Sequence, residues 1–377
     1  MREHVIFCYA PLFFEKGQKM NVLSLYDGIS CGMAALERIG VSVEKYSAYE
    51  IDKYAIAVSK KNYPQIEHCG NVFDADYTKY RGYDLLIGGS PCTYWSVAKK
   101  DREITADGEG FKLFMQFVKA LGQSQCRYFL YENNYSIHQN IKKEISAKLG
   151  VEPIMINSAL VSGQQRKRCY WTNIPDVTQP TDKGIFLKDI LVEGYPVKYN
   201  RKDGIMMSGE KSLAFCASYW KGINRNQTQN AVLIPQNHIL NDYKGKSRTI
   251  KAQYAQTSIA NAVRQDGFGS TCVAVPVRIG QIGNGGQGQR IYSVYGKSVT
   301  LSANGGGQGA KTGLYKVDLP DGDYIIRKLY PIEAERLQTL PDNYTDCGIS
   351  DTQRYKCLGN GWTVDVIAHI LGFISHI

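Results

Sequence analysis

The sequence contains no run of about 18 apolar residues, so a membrane-spanning helix is excluded. None of its ten cysteines forms a Cys-x-x-Cys pair, which removes zinc ribbons and thioredoxin-like sites from consideration, and no metal is expected. The short apolar run Val5–Phe14 lies between Arg2 and Lys16 and is followed by no convincing small-residue cleavage site. Residues 1–20 are therefore taken as an N-terminal extension rather than a signal peptide, with Met20 a possible alternative start. Low hydrophobicity is missing too: 43% hydrophobic and 21% charged residues exclude global disorder. Scattered cysteines in a chain this long indicate a reduced, cytoplasmic protein.

The 377 residues are enough for two or three domains, each with a core of its own. The net charge of +10 is unevenly placed. Residues 181–320 carry 18 Lys and Arg against eight Asp and Glu, while the rest of the chain balances at 27 of each. The same block holds 19 of the 37 glycines. A loop-rich module facing a polyanion, set into a neutral scaffold, fits that pattern; a basic surface kept for solubility is the plainer alternative.

From Asn21 onward, apolar runs alternate with helical patterns. Strands are expected at Asn21–Tyr26, Val43–Tyr49, Tyr83–Ile87, Tyr128–Tyr131 and Val151–Asn157. Helices are expected at Met33–Ile39, Lys53–Lys61, Phe111–Leu121 and Ile137–Leu149. Such alternation predicts an α/β fold with a doubly wound, mostly parallel sheet, whose ligands bind at the carboxyl ends of the strands. Residues 181–325 lose the alternation and form a smaller β- and loop-rich domain between a catalytic domain at 21–180 and a segment, 326–377, that rejoins it. Inside that domain a phrase recurs at spacings of 35 and 51 residues: Lys211-Ser212-x-x-Phe215-x-Ala217, Lys246-Ser247-x-x-Ile250-x-Ala252 and Lys297-Ser298-x-x-Leu301-x-Ala303. Three related strand–turn units are expected, the third flanked by the glycine runs Gly283–Gly288 and Gly305–Gly309. Helical patterning returns at Glu333–Leu340 and Val364–Phe373.

Four clusters sit at expected strand ends. In LSLYDGISCGMAAL, Gly28 and Gly32 permit a tight turn before a helix N-terminus with free amides. Glu50, 22 residues beyond Gly28, ends the next strand, where an acid can take both ribose hydroxyls of an adenosine cofactor. Gly88-Gly89-Ser90-Pro91-Cys92 puts a cysteine on a sharp turn. Only a few per cent of a free thiol is thiolate at neutral pH, yet thiolate is nucleophilic enough to attack an electrophilic ring carbon. Glu132-Asn133-Asn134 follows a buried strand, an awkward place for a glutamate with nothing to bind. Gln164-Gln165-Arg166-Lys167-Arg168 places Arg166 and Arg168 on one face of a strand, able to clamp a carbonyl oxygen and a phosphate. Taken singly, each has a bland reading: a βα turn, a buried cysteine, a solvated charge run.

Taken together and in this order, the clusters resemble the cytosine-C5 DNA methyltransferases, bacterial and phage type, over nearly the whole chain from Asn21. Pro91-Cys92 resembles the family's nucleophile motif, Glu132-Asn133-Asn134 its Glu-Asn-Val, and Gln164-x-Arg166-x-Arg168 its basic motif. Arg327-Lys328-Leu329 with Pro331, Glu333, Arg336-Leu337-Gln338 and Leu340-Pro341-Asp342 is similar to the segment after the recognition domain. Leu358-Gly359-Asn360-Gly361-Trp362-Thr363 is similar to the last motif, which returns to the cofactor. The chain departs from the pattern at Ser30-Cys31, at Asn71-Val72 where the family has an Asp, at Thr93 and at Asn134, none of them a group the reaction needs.

The resemblance implies a Rossmann-like fold and S-adenosylmethionine as methyl donor. Tyr26, Asp27, Gly28, Ile29, Ser30, Glu50, Ile51, Asn71, Val72, Pro91, Asn360, Gly361 and Trp362 would line its site, with Tyr26 against the adenine or methionyl part. Cys92 would add to cytosine C6, Glu132 would hold N3 and the exocyclic amine, and Arg168, with Arg166 beside it, would contact O2. The base must leave the stack of double-stranded DNA. The basic block would be the target-recognition domain, with Ser96 at a phosphate and Arg225, Arg248, Arg264, Arg278 and Arg290 as unranked base readers. The repeats leave open one recognition module or several. A monomer suffices for one flipped base, in a bacterial cytoplasm or on behalf of a phage, with or without a separately acting restriction endonuclease. Three other readings remain: a tRNA cytosine-C5 methyltransferase, an inactive DNA-binding relative, and a dinucleotide oxidoreductase that leaves three of the four clusters unexplained.

Overall fold

A computed structural model describes residues 19–96, 101–200, 204–207, 211–215, 217, 219, 228–235, 248–251, 278–281, 290–293, 314–316, 323–327 and 329–376. The contacts divide into two compact units: Met1–Ile185, Phe215–Ser218 and Ala334–Ile377 in the first, Phe186–Ala214 and Tyr219–Glu333 in the second.

The first unit is an alternating α/β array. It runs β1 (Met20–Leu25), α1 (Cys31–Arg38), β2 (Val43–Tyr49), α2 (Lys53–Asn62), β3 (Glu67–His68), β4 (Leu85–Gly88), α3 (Glu109–Ser124), β5 (Tyr128–Asn134), α4 (Gln139–Leu149), β6 (Ile154–Asn157), β7 (Gln164–Gln165) and β8 (Lys167–Thr172). Seven strands form one sheet in the order β3-β2-β1-β4-β5-β8-β6. All neighbours pair in parallel except β8, which is antiparallel to both β5 and β6. This is the doubly wound, mostly parallel sheet expected from the alternation.

The pattern of side chains explains the arrangement. Leu85, Leu86 and Ile87 in β4 are fully buried, as a strand covered on both faces must be. Helix α3 repeats apolar residues at Phe111, Phe114, Phe117 and Leu121, a helical stripe that faces the sheet. Phe114 and Phe117 meet Tyr131 of β5 at centroid distances of 5.1 and 5.0 Å, and Tyr131 meets Trp171 of β8 at 5.8 Å. Each such fully buried ring contributes roughly 1.5–3 kcal/mol. The aromatic layer reaches Asn133, whose Nδ2 donates to Tyr131 OH at 3.2 Å.

The second unit has α5 (Leu187–Ile190), β9 (Tyr195–Asn200), β10 (Gly204–Met207), β11 (Ser212–Leu213), β12 (Gln229–Pro235), β13 (Arg248–Lys251), β14 (Arg278–Gln281), β15 (Arg290–Ser293), β16 (Leu314–Lys316) and β17 (Asp323–Arg327). An antiparallel sheet runs β10-β9-β12-β17-β13, and a mixed sheet runs β14-β15-β16, with β14 antiparallel and β16 parallel to β15. Of the recurring phrases, the first contributes β11 and the second β13; the third and both glycine runs lie outside the described residues.

The chain ends with α6 (Pro331–Leu337), α7 (Asp351–Asn360) and α8 (Val364–Gly372). Helix α7 was not foreseen, because it is polar and buries only Tyr355, Cys357 and Leu358. Among the described residues no helix is long and apolar enough to cross a membrane.

Candidate active site

The carboxyl edge of the first unit's sheet collects the four clusters. At the end of β1 the backbone takes left-handed φ values at Tyr26 (58°), Gly28 (61°) and Ser30 (60°). Strain of this kind at two non-glycine residues is stored where a loop is shaped for a ligand. Glu50, just past β2, ties that loop down: its Oε2 accepts from Gly28 N at 2.8 Å, and its Oε1 accepts from Ile51 N and Asp52 N, each at 2.8 Å. Burial raises the Glu50 carboxyl above the usual glutamate range, against the pull of those three amides.

Ile51, next in the chain, is 73% exposed, and Phe73 is 51% exposed. Asn71 Oδ1 accepts from Phe73 N at 3.1 Å, and Val72 is buried. Because β3 pairs beside β2, Glu50-Ile51 and Asn71 sit on one edge. A carboxylate beside an exposed apolar side chain and an open Gly28 fits the ribose and adenine of a nucleoside cofactor. Phe73 was missed in the sequence, where an aromatic one residue past an apolar one carries no signal.

Two residues of this cluster face the chain rather than an open site. Asp27 accepts from Ser24 Oγ (2.6 Å), Tyr46 OH (2.7 Å) and Ser30 Oγ (2.5 Å), and burial raises its carboxyl. Its carboxylate thus braces the loop, and only its backbone remains for a ligand. Tyr26 donates its hydroxyl to Leu113 O of α3 at 2.8 Å.

The second group is built on β4, β5 and β8. Strand β5 continues three residues past its expected end because β8 pairs with it: Glu132 with Tyr170, Asn133 with Cys169, Asn134 with Arg168. Arg168 and Glu132 are therefore diagonal neighbours on one face. Arg168 Nε lies 3.0 Å from Glu132 Oε1, while Trp362 Nε1 donates to Glu132 Oε2 at 2.9 Å. Both carboxylate oxygens are held. A side chain at Gly89 would crowd this carboxylate, since a Cβ would lie 3.0 Å from Glu132 Oε2 and 3.3 Å from Trp362 Nε1.

Cys92 opens a short helical turn after Pro91 and is exposed. The preceding residue fixes the turn to β5: Ser90 O accepts from Asn133 Nδ2 at 3.1 Å, and Ser90 Oγ and Tyr131 OH are 2.6 Å apart. After the turn, buried Trp95 donates to Glu103 Oε2 at 3.1 Å. An exposed cysteine on a tethered turn thus lies three residues past Gly89, which packs against a carboxylate clamped on both oxygens.

Arg166 and Arg168, expected side by side, have different partners. Arg166 lies between β7 and β8 and is buried, while Arg168 is half-buried. The Arg166 guanidinium donates to Phe215 O (2.9 Å), Gly359 O (3.2 Å) and Gly361 O (2.9 Å). Burial lowers its pKa to about 10, so it stays charged at neutral pH. Arg166 positions the last motif, and Arg168 alone of the pair meets Glu132.

That motif returns to the first loop as well. A Cβ at Gly361 would touch Cys31 Sγ and Ile29 Cδ1, both at 3.4 Å, and Tyr344 OH donates to Ile29 O at 2.7 Å. Gln164 and Gln338 form a buried hub: Gln164 Nε2 donates to Leu337 O (2.6 Å) and Gln338 Oε1 (3.0 Å), and Gln338 Nε2 donates to Leu358 O (2.7 Å). Asn360 is exposed at the end of α7. Ser96 is half-buried. Arg248, Arg278 and Arg290 begin β13, β14 and β15, whereas Arg225 and Arg264 lie outside the described residues. Among the described residues no group of His, Cys, Asp and Glu could hold a metal.

Comparison with known proteins gives a consistent picture. The family model for C-5 cytosine-specific DNA methylase matches residues 20–376. Type II methyltransferase M.HhaI of Haemophilus parahaemolyticus is 26% identical over 372 residues, covering 93% of each chain. Orphan methyltransferase M.Rho11sI of Bacillus phage rho11s is 29% identical over 331 residues; the match takes in 80% of this chain and spans 61% of the phage protein's length. The solved methyltransferase EhMeth of Entamoeba histolytica superposes with a TM-score of 0.58 at 14% identity, covering 95% of this chain and 98% of that one, a likeness of fold.

Proposed function

Since the chain belongs to the C-5 cytosine-specific DNA methylase family, we propose that it methylates C5 of a cytosine flipped out of duplex DNA, at specific sites, through a covalent adduct on Cys92. The observation that carries this reading is an exposed cysteine, on a turn hydrogen-bonded to Asn133, at the same sheet edge as a carboxylate held by Arg168 and Trp362.

Cytosine C5 is a poor nucleophile while the ring is aromatic. The Cys92 thiolate adds to C6, forming an S–C6 bond, and the electron pair moves toward N3. Carrying a proton in the complex, Glu132 would give it to N3 as that charge develops, recover it on elimination, and accept from the exocyclic amine; Arg168, already against Glu132, is placed to donate to O2. C5 is then enamine-like. S-adenosylmethionine, when bound, supplies an electrophilic methyl group for it. Glu50, Ile51, Asn71 and the loop from Tyr26 to Ser30 would hold that cofactor, with Asn360 to Trp362 closing from the last motif. After methylation the C5 proton leaves to a base, the S–C6 bond breaks, and the thiolate is restored.

The second unit would supply target recognition. Its basic composition suits phosphates, and Arg248, Arg278 and Arg290 are candidate readers of base edges. The enzyme would work in a bacterial cytoplasm, as a solitary or phage-encoded modifier or beside a restriction enzyme.

A covalent trap tests the reading. A duplex with 5-fluorocytosine cannot lose its C5 substituent, so the adduct should accumulate with S-adenosylmethionine present and resist denaturation. Cys92→Ser should give none. Absence of adduct from folded wild-type protein over a library of sites, with adduct on tRNA instead, would shift the substrate to RNA.

A further inference from the structure

The carboxyl edge continues beyond Glu132 and Arg168. Tyr135 follows β5 directly, and its ring is 44% exposed. Its turn is fixed by Asn134, whose Oδ1 accepts from Ser136 N and whose carbonyl accepts from Ile137 N, both at 3.3 Å. In the first turn of α4, Lys142 places Nζ 4.4 Å from the Tyr135 ring centroid. Lys167, the exposed first residue of β8, places Nζ at 5.8 Å from the same centroid. Arg102 donates Nη1 to Ser136 O at 3.0 Å. Two lysines thus lie against one exposed ring, with Arg102 on the adjoining turn, and among the described residues none of the three has a carboxylate in an ion pair.

Positive charge on one patch with no carboxylate to neutralise it attracts an anion. Two facts indicate which anion. The cluster is continuous with the candidate base site: Tyr135 is three residues past Glu132, and Lys167 adjoins Arg168. It also lies on the β5-β8-β6 half of the sheet, away from the cofactor loops on β1, β2 and β3. A lone phosphate needs no exposed aromatic ring beside it, whereas a nucleic-acid backbone brings sugars and bases to pack there.

We propose that Arg102, Lys142, Lys167 and Tyr135 seat the backbone phosphates next to the cytosine that enters the Glu132 site. The proposal rests on the DNA-methyltransferase reading. Contacts of this kind position a duplex without reading its sequence, so they act alike on every target.

The test is duplex binding by the full chain over a series of salt concentrations, with S-adenosylhomocysteine present, for wild type, Lys142→Ala, Lys167→Ala and the double variant. Each phosphate contact contributes about 0.9 to the slope of log affinity against log salt. The double variant should lose about 1.8 of that slope, raise KM for DNA at least tenfold, and lose less in kcat than it gains in KM. Lys142→Arg with Lys167→Arg should restore the slope. An unchanged slope in a double variant that melts like wild type overturns the seat, as does a loss confined to kcat. Failure of the wild type to bind duplex DNA overturns the underlying reading, and the seat with it.

Discussion

Replacing Trp362 by phenylalanine keeps an aromatic ring and deletes one donor. In the native protein that donor lies 2.9 Å from Glu132 Oε2, while Arg168 Nε lies 3.0 Å from Oε1. Glu132 is buried, so the freed oxygen finds no ready substitute in solvent. A hydrogen bond to a charged group contributes roughly 1.5–3 kcal/mol. If the bond orients Glu132 toward N3, its loss appears in the barrier, and Trp362→Phe should slow methyl transfer about 10- to 150-fold at saturating cofactor and DNA. Single-turnover transfer of a labelled methyl group measures this, with a thermal melt to confirm that the fold is intact. A rate within twofold of wild type, in a variant that melts normally, would refute the claim that both oxygens must be held.

The remaining predictions concern the frame around that carboxylate. Gly89→Ala pushes a methyl against Glu132 Oε2 and the Glu132 carbonyl at 3.0 and 3.1 Å, so kcat should fall about tenfold or more while melting changes little. Arg166→Ala strips a donor from three carbonyls and should cost about 3 kcal/mol or more of stability, read from the denaturant midpoint. Glu50, raised by burial, keeps its proton at pH values where an ordinary glutamate has lost it, and its ionised form is the better acceptor for ribose hydroxyls. Affinity for S-adenosylhomocysteine should therefore climb as pH rises through that raised value, by up to about tenfold per unit, and Glu50→Gln should flatten the profile in calorimetric titrations. The same linkage makes the Glu50 and Asp27 share of folding stability decline as pH rises through their raised values, because the folded state holds their protons more tightly.

The alternation of strands and helices was legible because each element carries its own period: Leu85–Ile87 as a buried strand, Phe111–Leu121 as a stripe. Strand order was not. Nothing local in Lys167–Thr172 says that it enters between β5 and β6 in the opposite sense, yet that insertion extends β5 to Asn134 and brings Arg168 to Glu132. The motif residues at the edge were recognisable by type, but their partners were hidden by distance in the chain. Trp362 and Glu132 are 230 residues apart, and Gln164 and Gln338 are 174 apart. Arg166 and Arg168 look alike two residues apart on an ideal strand, yet one goes to the backbone and the other to Glu132. The hydroxyls round Asp27 come from three places, one of them Tyr46 on the neighbouring strand.

The central claim is that the protein methylates cytosine in DNA with Cys92 as the attacking thiolate. Unmethylated genomic DNA incubated with the protein and S-adenosylmethionine, then mapped by bisulfite sequencing, tests it most directly. The account predicts 5-methylcytosine confined to one or a few short sequence contexts, abolished by Cys92→Ala; two or more unrelated contexts would point to several recognition modules among the repeats of the second unit. Unmethylated DNA after treatment with folded wild-type protein, or methylation that survives Cys92→Ala, would contradict it.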